Sequence, residues 1–360
     1  MMYSPTDRNI LFKKAISRFY IPSVWAPGPW SQTLANIFFF GRSTHKYTHR
    51  ESFMFKDGVI CYLDWKENMM HHDFSSPIIV ICHGCAGDLN SSFCQKLSDY
   101  ALESGYRAVV YNRRGHAGAP IYPIKQTIYP CKGYPIHADI EDMAEVSQHI
   151  HNNYPNAPMF LAGTSAGANM LLKYIGENKG NHPYRALFAE SSPYDVYKMS
   201  HKLKTSMPPE SDAMLAFCLL EMLNKRRGML EVLCKRSNIT IDVDQPFKST
   251  GEIEEAVVLP FYKNKYTDIK DYYEKNGSIT LLSRIDVPTL LLNSKADPMI
   301  DKSAIKQAVH ASLQNDNIIS MTTDQGGHSA WLSGFKVWSW DAKLCVDFFT
   351  AALASHYIKT

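Results

Sequence analysis

The sequence predicts an α/β fold: a mainly parallel sheet flanked by helices, with a helical cap inserted late in the chain. Three observations lead there. Short aliphatic runs alternate with stretches of helical periodicity from residue 78 to residue 189, which implies βαβ crossovers. The pentapeptide Gly163-Thr164-Ser165-Ala166-Gly167 sits between an apolar strand-like run, 159–162, and an amphipathic helical run, 169–174. Finally, the alternation stops over residues 194–284 and then resumes.

Residues 1–48 read as an N-terminal arm rich in aromatics, in which Pro22, Pro27, Gly28 and Pro29 exclude one long helix. Within the arm, Ile10, Leu11, Phe12, Ile16 and Phe19 fall at helical spacing opposite Lys13, Lys14 and Arg18. Such a helix either docks on the core, the slightly favoured expectation, or lies on an anionic membrane. The core occupies 49–193 and 285–355. Its first signal is a hairpin, with Asp57-Gly58 between the strand-like runs 52–55 and 59–63. A strand at 78–82, a helix at 93–104, a strand at 107–111 and a helix at 139–152 follow. The strand at 159–162, the helix after Ser165 and a strand at 186–189 complete the first half. The segment 194–284 reads as the inserted cap, with a helical stretch over 213–236 dense in Met and Leu and paired tyrosines at Tyr272 and Tyr273. A strand at 289–293, a helix at 303–313, a strand at 318–321 and a closing helix over 342–354 finish the core.

At 360 residues and 45% hydrophobic content, the chain can bury one large α/β core with an insertion. A net charge of +3 with 20% charged residues argues against a nucleic-acid partner. The basic clusters Arg113-Arg114, Lys225-Arg226-Arg227 and Lys235-Arg236 are read as solvated faces. Eight scattered cysteines without a secretory leader suggest a reduced, cytoplasmic setting. Cys82-His83-Gly84-Cys85 has the spacing of half a zinc site, but no second pair completes it. His71-His72, and His149 with His151, have no carboxylate or cysteine at ligand spacing and are read as surface residues. Neither a metal nor a cofactor is expected. No apolar run approaches the ~20 residues that span a bilayer.

The chemistry follows from Ser165. A serine between small residues at a strand-to-helix turn is lifted clear of the backbone, and the helix behind it favours negative charge at the reacting centre. Its hydroxyl needs a base, and the base needs an acid to hold its tautomer. In such sheets these groups stand just past the carboxyl ends of strands, in the order serine, acid, histidine. Asp297 follows the strand at 289–293, and His328 follows the strand at 318–321; Asp301 is the alternative acid. Two backbone N–H groups must then meet the oxyanion. Ala166 supplies one, and the loop His83-Gly84-Cys85-Ala86-Gly87 the other, assigned to the main chain of Cys85. The Cys85 thiol has no base placed for it and is read as packing.

His83-Gly84, Tyr111-Asn112-Arg113-Arg114-Gly115 and the run from Gly163 through Ser165 to Tyr174 resemble the α/β-hydrolase-domain proteins of the AB hydrolase 4 family. Ile285 to Leu290, Ala296-Asp297-Pro298 and Gly326-Gly327-His328 continue the likeness, and Tyr20 to Trp25 with Gln32-Thr33 carries it into the arm. The resemblance implies an α/β-hydrolase fold with the triad on Ser165, Asp297 and His328. It also implies ester hydrolysis of the monoacylglycerol lipase or phospholipase type. Relatives often have two acids before the proline, where this chain has Ala296 and Asp297. Animal relatives tend to carry an amino-terminal membrane anchor, and this chain begins about where that anchor would end.

The expected function is therefore a serine ester hydrolase acting on lipid acyl esters, with peripheral membrane contact through the arm and cap. The cap residues Met199, Met207, Met214, Leu215, Phe217, Leu219, Leu220, Met222 and Leu223 would offer a deformable apolar surface to an acyl chain. The alternatives are a small-ester or thioester hydrolase, and a binding protein that uses the pocket for a sterol or other small molecule without turnover.

Overall fold

A computed structural model describes residues 2–4, 6–16, 19–38, 46–68, 74–125, 127, 132–133, 137, 139–205, 210–335 and 338–357. Arg18, His71-His72 and Met207 lie outside the described residues, as does the side chain of Met214. The strands are β1 (Met2–Tyr3), β2 (His49–Met54), β3 (Ile60–Lys66), β4 (Ile78–Cys82), β5 (Arg107–Asn112), β6 (Met159–Thr164), β7 (Tyr184–Glu190), β8 (Thr289–Ser294) and β9 (Ile318–Thr323). Among the described residues they form one sheet in the order β1-β9-β8-β7-β6-β4-β5-β3-β2. The six strands from β5 to β9 in that order run parallel, and β1, β2 and β3 are antiparallel to their neighbours.

Helices cover both faces, so the central strands are apolar on both sides. Ile78, Val80 and Cys82 of β4 pack towards α4 (Ile140–Asn153), α5 (Ala166–Glu177) and α11 (Lys302–Gln314). Ile79 and Ile81 pack the other way, towards α1 (Asp7–Ala15), α3 (Ser92–Glu103) and α12 (Trp340–Tyr357). The arm adds α2 (Pro29–Phe38), which the sequence reading missed; its proline stands at the first helical position, where no N–H partner is lost. A short hairpin of β10 (Leu332–Ser333) and β11 (Trp338–Ser339) was missed too, because two-residue strands carry no periodicity.

Between β7 and β8 the chain leaves the sheet and makes α6 (Val196–Thr205), α7 (Glu210–Asn224), α8 (Arg227–Ser237), α9 (Thr250–Ile253) and α10 (Ile269–Asn276). The single helical stretch expected at 213–236 is two helices, broken at Lys225-Arg226. This segment has its own apolar cluster, built on Leu219, Leu233, Val257 and Tyr272. Polar anchors tie it to the sheet. Asn169 of α5 donates to the Asn276 carbonyl at 2.7 Å and accepts from the Ser278 N–H at 3.0 Å. Lys202 of α6 donates to the carbonyls of Asp297 and Ile300.

The favoured docking of the arm helix holds, and two other expectations are corrected. The helix α1 docks on the core: Phe12 and Ile16 are fully buried, and the Phe12 ring meets Phe348 edge-on at 5.4 Å. The helix ends at Ala15, so Phe19 lies beyond it and the five apolar residues never share one exposed face. His149 accepts or donates in a contact with Glu51 and stacks near Phe53, rather than standing free at the surface. Arg113 and Arg114 are each 1% exposed, not solvated. The reason is long-range: Arg114 is clamped by Asp142 through Nε and Nη2 and by Asp57 through Nη1, with Asp139 at 3.8 Å.

That cluster holds the β2–β3 hairpin, the strand exit after β5 and α4 together. Burial pushes the Asp142 carboxyl up, but the hydrogen bond and charge of Arg114 outweigh it and hold it below the usual carboxylate range. Its stabilisation is thus present above about pH 4 and fades as pH falls through the lowered value. Arg114→Met is expected to destabilise the fold by about 3–5 kcal/mol, because it leaves the buried Asp57 without its cation and Asp142 with Lys132 alone. Urea unfolding at pH 7 measures this; a midpoint within error of wild type would show that the cluster carries no such weight.

Candidate active site

The register of the sheet assembles the site. Cys82 of β4 lies beside Gly163 of β6, so the loop after β4 and the turn after β6 leave the sheet next to each other. Ser165 has φ +52° and ψ −124°, a strained backbone for a residue with a side chain. The strain is held from both sides. Its N–H donates to the Glu190 carbonyl at 2.9 Å, and Gly167 packs where an added Cβ would stand 2.5 Å from the carbonyls of Cys82 and His83. Only a glycine permits that approach. Ala86, Ser191 and Ser329, which line or flank the same cavity, also have positive φ.

His328 Nε2 stands 2.8 Å from Ser165 Oγ, and its Nδ1 lies 3.0 and 3.2 Å from the two carboxylate oxygens of Asp297. That network assigns the proton to Nδ1 and leaves Nε2 as the acceptor. Asp297 is nearly fully buried. Burial raises its carboxyl, but the charge and hydrogen bond of His328 and the N–H groups of Met299 and Ile300 prevail and hold it below the usual range. Asp301, the alternative acid, is turned away: its Oδ1 caps α11 by accepting from the N–H groups of Ser303 and Ala304.

The loop after β4 is braced from below. His83 Nδ1 is 2.8 Å from the Gly84 carbonyl, and its Nε2 accepts from the Arg113 N–H. Burial, with Arg113 beside it, pulls His83 down to about 3, so the ring is neutral and its tautomer is set by these contacts. The His116 ring lies tilted against it at 4.5 Å and contacts the Gly87 carbonyl at 2.6 Å. Cys85 and Ala166 both line the cavity that holds Ser165 and His328. The N–H of Ala166 belongs to the first turn of α5, where no helical acceptor exists. Burial pushes the Cys85 thiol up to about 12, which keeps it protonated and a poor nucleophile.

The cavity has a volume of about 390 Å³. Of the nine apolar cap residues expected to face an acyl chain, Met199, Leu215 and Leu219 line it. Met222 and Leu223 are buried within the cap, Leu220 packs there partly buried, and Phe217 points to solvent. Several lining or supporting residues escaped the sequence reading. Thr33 of α2 accepts the His328 N–H at 2.8 Å, and the Ser191 hydroxyl accepts the Ser329 N–H at 2.9 Å. Glu190 is fully buried beneath the serine turn, and burial together with Asp341 pushes its carboxyl up, towards the neutral acid. Nothing local marks them, since each acts through a partner more than a hundred residues away or through one backbone atom.

A family model described as serine aminopeptidase, S33, matches residues 75–331. The chain belongs to this Hydrolase_4 family. It is a hydrolase with the α/β-hydrolase fold, of the lipase and esterase type. It is 29% identical over 324 residues to phospholipase ABHD3 of Homo sapiens, covering 89% of this chain and 75% of that protein. It is 25% identical over 334 residues to monoacylglycerol lipase ABHD2 of Mus musculus, covering 86% of this chain and 74% of that protein. Among solved structures it is similar in fold to a soluble variant of monoglyceride lipase from Saccharomyces cerevisiae, with a TM-score of 0.53 at 11% identity over 87% of this chain and 96% of that one. Est1E from Butyrivibrio proteoclasticus gives 0.51 at 12% identity over 85% and 100%.

Proposed function

We propose that this hydrolase cleaves acyl esters of lipids through a Ser165-His328-Asp297 triad and an acyl-enzyme. One observation carries the reading: Ser165, His328 and Asp297 form an unbroken hydrogen-bonded chain at the floor of a mostly apolar cavity. Ser165 Oγ attacks the ester carbonyl carbon while its proton passes to His328 Nε2. The N–H groups of Cys85 and Ala166 hold the oxyanion. The intermediate collapses, the C–O bond to the alcohol breaks, and His328 returns the proton to the departing oxygen. Water then attacks the acyl-enzyme by the same route and releases the fatty acid, restoring Ser165. Asp297 keeps the ring in the productive tautomer and stabilises the imidazolium. A sterol or small-molecule binder without turnover would have no need of this chain of groups.

A fluorophosphonate probe is expected to label Ser165, and a panel of glycerides, phospholipids and acyl thioesters to show ester turnover. A protein that neither reacts with the probe nor turns over any ester is a binder, and the reading fails.

The same reading includes contact with a lipid surface, through a different part of the arm from the one expected. Phe19, Trp25 and Phe335 are 97, 62 and 73% exposed, with Ile21 and Val24 beside them. The Trp25 and Phe335 rings meet at a tilt with centroids 5.3 Å apart, and the Trp25 Nε1–H donates to the Phe335 carbonyl. This outward apolar cluster joins α2, whose Thr33, Asn36 and Ile37 line the cavity wall, so a membrane bound there would adjoin the cavity. The double variant Trp25→Ser, Phe335→Ser is expected to lose sedimentation with phospholipid vesicles while keeping its turnover of a soluble short-chain ester. Equal vesicle binding by the two proteins would remove the membrane contact from the proposal.

A further inference from the structure

Among the polar residues that line the mostly apolar cavity, one buried cluster is used by neither the proposed triad nor the oxyanion donors. Most of its wall is apolar, with Ile37, Phe93, Leu215, Leu219 and Met299 among the lining residues. Glu254, His137 and Tyr273 line the same cavity, and each is at most 5% exposed. His137 Nε2 is 2.9 Å from Glu254 Oε1, and the Tyr273 hydroxyl donates to Glu254 Oε2. Among the described residues, His137 is the one ion-pair partner that Glu254 has. Glu254 and Cys85 of the oxyanion loop line the same cavity.

Burying a carboxylate in an apolar wall costs several kcal/mol, and apolar residues would pack this place at no such cost. The backbone is unusual here as well. The chain widens from α9 into a π-helical turn at Glu254–Val258, a rare feature that is frequent at functional sites.

The cluster has lone pairs to offer and lacks donors. A carboxylate has about four acceptor positions, and the described residues use one on each oxygen of Glu254. With the Nε2–H given to Glu254, His137 Nδ1 is an acceptor, and among the described residues this buried atom has no hydrogen-bond partner. What completes such a place is a neutral group with several O–H donors. A phosphodiester brings more negative charge to a carboxylate, and a quaternary ammonium has no proton for Nδ1.

We propose that Glu254, His137 and Tyr273 form a subsite for the hydroxyl-bearing alcohol portion of the substrate, so that the preferred lipid is an ester of a free polyol such as a monoacylglycerol. This rests on the ester-hydrolase reading above and names its head group. Hydroxyls of the glycerol donate to Glu254 and His137 Nδ1, while the acyl chain takes the apolar wall.

The test compares three substrates of one acyl length: a 1-monoacylglycerol, the methyl ester and a phosphatidylcholine, with wild type, Glu254→Gln and His137→Phe. Wild type is expected to favour the monoacylglycerol. In both variants the ratio of kcat/KM for monoacylglycerol over methyl ester is expected to fall at least tenfold, mainly through KM, with melting temperatures near wild type. Equal losses on the two esters would make the cluster structural and overturn the subsite. Wild-type preference for the phosphatidylcholine, lost in Glu254→Gln, would overturn it in favour of a cationic head group. Methyl ester turnover by wild type with no gain from the glycerol defeats the subsite alone. Turnover of none of the three, with no labelling of Ser165, defeats the hydrolase reading beneath it.

Discussion

Ser165→Ala is expected to lower kcat for ester hydrolysis by about 10⁶-fold, as removal of a triad nucleophile does elsewhere. The change deletes one oxygen that the structure places 2.8 Å from His328 Nε2 and removes little volume, so the sheet and the cavity persist. It also relieves nothing at the strained turn, since alanine has the same Cβ at φ +52°. The melting temperature should therefore stay within a few degrees of wild type, and substrate binding should survive. Stopped assays on a short-chain ester, with circular dichroism on the same sample, measure both. Near-normal turnover in a folded Ser165→Ala protein would falsify the serine assignment. Loss of folding instead would mean that the serine hydroxyl holds the turn, a role for which it has, among the described residues, no hydrogen-bond partner other than His328.

The next largest effect separates two aspartates four residues apart. Asp297→Asn is expected to cost roughly 10⁴-fold in kcat, because an amide that donates to Nδ1 turns the imidazole to the wrong tautomer. Asp301→Asn is expected to stay within a few-fold, since Asp301 caps α11 and asparagine caps helices about as well. The two variants keep nearly the same volume, so the comparison isolates the hydrogen bond to His328. A larger loss in Asp301→Asn than in Asp297→Asn would transfer the acid role and undo the site as drawn. The pH dependence should differ too: with Asp297 held below the usual carboxylate range, the wild-type acid is ionised from mildly acidic pH upward, and its loss is not recovered in Asp297→Asn by raising pH.

Much of the architecture is legible in the chain because the central strands and their helices carry their own periodicity. Runs such as Ile78–Cys82 and Thr289–Ser294 are apolar on both faces, and the helices between them repeat at 3.6 residues. Where an element is too short for a period, as in β1, β10 and β11, that signal fails; α2 carries the period, and its opening proline reads as a break although it suits the first position of a helix. The serine turn is legible for a related reason. Its requirements are local: a strand end, small residues on both sides and a helix start within five positions.

By itself the sequence determined the order of strands and helices, the turn at Ser165 and the rank of candidates along the chain. Each of these depends on residues within about a helical turn of one another. Tertiary structure decided which buried charges meet and which faces are left over. Arg114 reads as a surface cation until Asp57 and Asp142 close on it from elements 57 and 28 positions away. Asp297 and Asp301 differ only in which one His328 reaches across 31 positions. For the face of α1 the sequence favours docking over a membrane only slightly, and Phe348 covering Phe12 decides it. Glu254, His137 and Tyr273 have no common motif and meet only because the cap folds back over the sheet. Desolvation is the physical reason: burial is decided by the whole chain's packing, and it is burial that turns an ordinary charge into a strong or costly one.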